Sequence, residues 1–124
     1  MQIAQKNFYK KLLGRAGELK AAEFLKKKGY KIVVKNFKTH AGEIDIIAEK
    51  DGETVFIEVK TRTGDEYGYA AEAVDCKKRF RYVKVAAEYL MRKGLTDAPC
   101  RFDVVELQNG QINHIENAFY ENMR

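Results

Sequence analysis

The chain has 124 residues, with 23 Lys and Arg against 18 Asp and Glu, a net charge of +5, and 45% hydrophobic residues. That length suits one domain, expected to occupy residues 1–124 with a core at about 8–116 and a short C-terminal tail. The composition excludes a wholly disordered chain, no stretch approaches the ~20 apolar residues of a membrane span, and Cys76 and Cys100 are too few for a disulfide or metal framework.

The first residues lack the apolar core of a signal peptide, so a soluble, reduced, cytoplasmic domain with no membrane partner is expected. Residues 8–28 read as a helix: Phe8, Leu12, Ala16, Leu19 and Ala22 recur at three- and four-residue spacing, and Gly29 is a stop signal. The same helix carries a strip of small residues, Gly14, Gly17 and Ala21, with Glu18 among them, beside Ala22 and Leu25. Two glycines inside a helix cost about 1 kcal/mol each relative to alanine, which close backbone approach to a neighbour would offset. Residues 1–40 hold eleven Lys and Arg but only two acids, Glu18 and Glu23. Glu18 therefore has two readings, a carboxylate reaching a site elsewhere or a surface residue paired with Lys11 or Lys26.

Residues 31–37 read as a strand around Ile32-Val33-Val34. Residues 43–49 and 54–62 read as two more, joined through Asp51-Gly52, a strong hairpin signal. His40, in the turn before them, is either a phosphate contact or a plain turn residue. Residues 41–60 reverse the charge, with six acids and two lysines. Strand alternation puts Glu43, Asp45 and Ile47 on one side, and Phe56, Glu58 and Lys60 on one side of the next strand. A symmetric loop about Asp51-Gly52 sets Asp45 opposite Glu58 and Glu43 opposite Lys60. Facing carboxylates repel unless a proton or a cation lies between them, and magnesium prefers such hard oxygens. The rival reading is a solvated face with Glu43 and Lys60 as a weak surface ion pair. Lys60, two residues beyond Glu58, is placed to orient water and stabilise charge building on a phosphate. Arg62 is either a phosphate contact or a solvated strand end.

Residues 71–93 read as a second helix whose apolar stripe is Cys76, Phe80, Val83, Ala87 and Leu90, with Lys77, Arg81 and Lys84 on another face and Gly94 ending it. Cys76 is thereby expected to be a small core residue. Residues 101–107 form a fourth strand, and Asn109-Gly110 turns it into a fifth at 111–115, with His114 on the surface. The order is αβββαββ, an α/β class.

Glu18 on a first helix, Glu43-Ile44-Asp45 on one strand and Glu58-Val59-Lys60 on the next together resemble the PD-(D/E)xK nuclease pattern. The flanking words Gly14-Arg15-Ala16-Gly17-Glu18, Asn36-Phe37-Lys38, Gly42–Ala48, Val55–Arg62, Glu72-Ala73-Val74 with Lys78, and Arg101–Val105 are similar to the YraN family of predicted endonucleases. The resemblance spans residues 14–119. It implies a restriction-endonuclease-like, resolvase-like core, a mixed sheet with helices packed on it. It also implies Asp45 and Glu58 as metal ligands with the Val59 carbonyl, Lys60 positioning water, and Glu18 supporting the metal or its waters. Ile44 stands where the pattern's proline would be.

The resulting expectation is a Mg²⁺-dependent endonuclease (Mn²⁺ substituting) that hydrolyses DNA by structure rather than sequence. Arg15, Arg62, Lys77, Lys78 and Arg81 would hold the backbone, and a homodimer would suit branched DNA by analogy with Holliday-junction resolvases. Two rivals stand beside it: a nucleic-acid-binding protein that keeps the fold without cutting, and an interaction domain whose lysines serve solubility.

Overall fold

Seven elements follow one another: α1 (Ile3–Lys27), β1 (Lys31–Thr39), β2 (Gly42–Lys50), β3 (Glu53–Arg62), α2 (Cys76–Arg92), β4 (Cys100–Gln108) and β5 (Gln111–Ile115). The structure is a computed structural model and describes residues 3–62 and 76–118, with side chains from residue 11 onward. The expected start of the second helix at 71–75, the words Glu72-Ala73-Val74, the side chain of Phe8 and the tail from 119 lie outside the described residues. No helix among the described residues is long and apolar enough to cross a membrane.

The strands form one mixed sheet in the order β1-β2-β3-β4-β5. β1, β2 and β3 are antiparallel neighbours, β3 and β4 are parallel, and β5 returns antiparallel to β4. A parallel pair requires a crossover, and the chain between β3 and β4 contains α2. Two of the three two-residue hairpin turns, those at Asp51-Gly52 and Asn109-Gly110, are set by sequence. Asp51 and Gly52 have φ of 51° and 81°, and Asn109 and Gly110 have 52° and 77°. Positive φ at both central residues gives the primed turn whose twist suits adjoining strands.

Each face of the sheet buries one apolar cluster under one helix. On the α1 side Ala21, Ala22 and Leu25 meet Ile46, Ala48, Val55, Ile57, Val105 and Leu107. On the other, Tyr82, Val85, Ala86 and Tyr89 of α2 meet Ile44, Ile47, Phe56, Phe102 and Val104. The small-residue strip is therefore the packing face of α1. Gly17 lies so close to the sheet that a Cβ there would come within 2.2 Å of Thr61 Oγ1. Gly14, by contrast, faces open space.

Both expected helix stripes need correction. Leu12 and Leu19 are about half exposed, and the buried row of α1 runs through Gly17, Ala21, Ala22 and Leu25 instead. On α2, Phe80 is 63% exposed, Ala87 and Cys76 are exposed, and Val83 and Leu90 only flank the core. Tyrosines 82 and 89 take the central places, with the Tyr89 ring packed edge-on against Phe37 and Phe56. Cys76 is thus no core residue.

Strict strand alternation also fails at one point. Ile46 and Ala48 face α1, yet Ile44 and Ile47 both face α2. Directly across on β1, between the pairs Lys35–Ile46 and Phe37–Ile44, Asn36 takes φ of 55°. Left-handed backbone is uncommon outside glycine and is best tolerated by Asn and Asp. It reverses the facing of the strand end, so Val34 and Phe37 both pack on the α2 cluster. The expectation that Glu43, Asp45 and Ile47 share one side does not hold across this reversal.

Candidate active site

The expected hairpin register is found from Lys50–Glu53 to Ile46–Ile57, and there the pairing of β2 with β3 ends. β2 continues beside β1 as far as Gly42, while β3 continues beside β4 as far as Arg62. The two strands thus part at a fork inside the sheet. Asp45 and Glu58 are the first residues past the last pair, so their side chains meet at the crotch. Asp45 does not continue the ladder. Its Oδ2 accepts a hydrogen bond from the Val59 N–H at 2.8 Å, supplying β3 with the acceptor that β2 withdraws.

Asp45 is pushed up to about 8, first by burial and then by the charge of Glu58, and the Val59 hydrogen bond only partly opposes this. The two carboxyl groups also hydrogen-bond each other, which needs a proton on one of them. This is the chemistry of a site with more negative charge than its own protein groups neutralise. Hard carboxylate oxygens held this close fit a Mg²⁺ or Mn²⁺ ion, which would replace the shared proton. Among the described residues no group of three or more His, Cys, Asp or Glu side chains converges to hold a metal. Among the described residues an ion would rest on these two carboxylates with backbone or water oxygens, as Mg²⁺ sites commonly do.

Glu18 arrives from α1. Its carboxyl is raised, chiefly by burial, against a hydrogen bond with the Asn36 side chain and with added repulsion from Glu43 and Glu58. It therefore reaches the site, whereas Lys26 pairs with Glu23. Asn36 thus has two jobs, turning the strand and holding Glu18, and sequence reading gave it neither. An Asn interrupting an otherwise β-prone run was the available signal.

From the opposite face, Lys78 of α2 donates to Glu58 Oε1 at 2.6 Å. Lys78 was expected at a phosphate, and instead it sits on a proposed metal ligand. It also lines a cavity of about 410 Å³ between the β1–β2 turn and α2, together with His40, Glu43, Arg81 and Tyr82. Arg15, Lys77 and Arg81 are exposed, as a backbone-contacting role requires, and Lys60 is half-buried.

Two expected partners are absent. Glu43 lies 3.9 Å from Lys38 on β1 rather than across from Lys60, because β2 has left β3 before that position. Arg62 is neither a phosphate contact nor a solvated end. Its side chain is 8% exposed and lies 2.6 Å from Glu106 on β4, held there by the parallel pairing of β3 and β4.

A second polar cluster, missed in sequence, lies on the α1 face. Asp103, fully buried, takes two hydrogen bonds from Arg101 (both 2.9 Å), one from His114 (2.8 Å) and one from the Asn117 N–H (3.1 Å). Lys28 approaches His114 Nδ1 at 2.7 Å, so Nε2–H is the donor to Asp103, and Arg101 also bonds the Tyr30 hydroxyl. Burial alone would raise Asp103, but these donors hold it below its ordinary value. His114, with a side chain 2% exposed, is not a surface residue.

Residues 17–107 match the family model of the uncharacterised protein family UPF0102. The chain belongs to UPF0102. The matched span contains Glu18, Asp45, Glu58, Lys60, Lys78 and Arg81, with Arg15 just outside it. A UPF0102 protein of Symbiobacterium thermophilum is 47% identical over 113 residues, covering 87% of this chain and 96% of the relative. UPF0102 proteins of Caldanaerobacter subterraneus and Persephonella marina are 45% and 42% identical, covering 92% and 86% of this chain and 99% and 91% of their own lengths. The sequence resemblance is thus borne out at the level of the UPF0102 family.

Proposed function

We propose that this UPF0102 protein is a divalent-metal-dependent endonuclease of the PD-(D/E)xK, resolvase-like class, acting on DNA phosphodiester bonds. The observation that carries the reading is the meeting of Asp45 and Glu58 at the fork of β2 and β3, with Glu18 entering from α1. A bound Mg²⁺ or Mn²⁺ would supply charge neutralisation and a more acidic water. Asp45 and Glu58 would hold it, with the Val59 carbonyl as the further ligand that the resemblance implies. Lys60, two residues on from Glu58, orients the attacking water and balances charge on the scissile phosphate. Glu18 accepts hydrogen bonds from water at the same place. Arg15, Lys77 and Arg81 position the backbone by charge, contacts that carry no sequence information, which favours selection by shape.

A second reading, a DNA-binding protein that does not cut, is favoured by one observation: Lys78 already occupies Glu58. The discriminating experiment incubates the protein with duplex, single-stranded, flapped and four-way-junction DNA, with and without Mg²⁺ or Mn²⁺, beside Asp45→Ala and Glu58→Ala. Metal-dependent cleavage lost in both variants supports the enzyme. Cleavage equal in all three proteins marks a contaminant and sinks it. Salt-sensitive binding with no cleavage supports the second reading.

A further inference from the structure

Lys78 links two features that the proposed chemistry leaves separate. Its ammonium is 2.6 Å from Glu58 Oε1, and its side chain is about one-third exposed. It also borders the cavity beside His40 and Arg81, which lies on the same α2 side of the sheet. Glu58 is buried, as is Phe56 before it on that face, so a lone carboxylate there is costly and a cation on it is favourable. A lysine has a long flexible stem and a compact charge, suited to exchange between two nearby anions.

We infer that Lys78 is a tethered counter-ion: it holds Glu58 in the metal-free protein, yields that place to a divalent ion, and then points into the His40–Arg81 cavity to take a backbone phosphate. This rests on the metal reading above and adds a positioning residue to it. Two cations crowded onto one buried carboxylate repel each other, so metal and ammonium compete for Glu58. While Lys78 is seated, only the unseated fraction binds metal, and apparent affinity falls by that fraction. The transfer has a second consequence. The residue that leaves the carboxylate becomes a phosphate donor only when the metal is in place, so binding of ion and strand reinforce each other. Arg81 and His40, which line the cavity without an ion pair to Glu58, are the fixed part of the phosphate site.

The test measures Mn²⁺ affinity calorimetrically without nucleic acid, for the wild-type protein, Lys78→Met, Lys78→Gln, Lys78→Arg and Arg81→Met. Circular dichroism verifies that each is folded. Competition predicts binding about threefold or more tighter in Lys78→Met and Lys78→Gln, near wild type in Lys78→Arg, and a smaller change in Arg81→Met, which removes a nearby charge but not the occupant. Binding of a short oligonucleotide with Mn²⁺ present weakens in Lys78→Met, and its salt slope falls by about 1. Affinity for Mn²⁺ unchanged or weaker in both neutral variants overturns the inference and leaves the metal site standing. No Mn²⁺ binding by any protein, wild type included, overturns the site and the inference together. A gain in Arg81→Met equal to that in Lys78→Met shows a general field rather than an occupant, and also overturns it.

Discussion

Asp45 carries the tension of the site in a single side chain. Folding places it beside Glu58 and out of water, so its protonated form is favoured and its ionised form is penalised. The stability gained from protonation is complete below the ordinary 3.8 and is lost as pH rises towards about 8. Asp45→Asn keeps an oxygen for the Val59 N–H and removes the charge. In EDTA it should therefore raise stability at pH 8 by about 1 kcal/mol or more, the worth of a single pKa unit, and flatten the pH profile between 4 and 8. Urea denaturation at several pH values measures this, and a variant less stable than wild type at pH 8 would refute the assignment. The meeting of Asp45 and Glu58 was legible because its chemistry is conspicuous: facing carboxylates have little structural use. Lys78 on Glu58 and Arg62 on Glu106 were not legible, because a lysine or arginine in a sequence looks the same whether it meets water or a buried acid.

At the scale of elements, the hairpin register was readable from its turn as far as Ile46–Ile57, but the fork beyond that pair and the helix faces were not. Asp51-Gly52 admits one turn family, and that turn dictates the β2–β3 register without help from the rest of the fold. Helix facing depends on what lies opposite. The leucines of α1 form a good stripe, yet α1 turns Gly17 and Ala21 inward because a smooth face allows close approach to Thr61 and Leu107. Gly17→Ala should cost about 1–3 kcal/mol by overpacking, and Thr61→Ala in the same chain should recover much of it; full additivity of the two losses in thermal melts would show they do not touch. The Asp103 cluster ties β4 through Arg101, β5 through His114 and the turn after α1 through Lys28 and Tyr30. Its carboxylate is favoured by folding, so its contribution is full above pH about 5 and fades as pH falls past 3.8. Asp103→Ala should cost about 3–5 kcal/mol at pH 7, since it strands Arg101 and His114, and progressively less as pH falls below 3.8. A pH-independent loss in chemical denaturation would contradict this.

Across the whole molecule, the net charge of +5 is a remainder between regions of opposite sign. The acids at 43, 45 and 58 gather where two strands part, and the exposed cations Arg15, Lys77 and Arg81 lie on the two helices that sandwich the sheet. Replacing Lys77 or Arg81 with Ser should weaken oligonucleotide binding alike for all sequences and lower the salt slope by about 0.9 each. Fluorescence anisotropy across a salt series reads this directly, and affinity indifferent to salt would remove nucleic acid as the partner.

The left-handed Asn36 decides which layer owns the tip of the first hairpin. By turning Phe37 and Ile44 towards α2, it fastens the His40 turn to the helix that carries Lys78 and Arg81, while its own side chain remains with Glu18 on the other helix. One backbone angle thereby acts as a rivet through the sheet, joining both helices to the same stretch of chain. Asn36→Gly should keep the fold, since glycine accepts that angle, and should loosen Glu18. Asn36→Val should lose about 2 kcal/mol or more and release both helices from the hairpin tip, seen as faster amide exchange at residues 37–44.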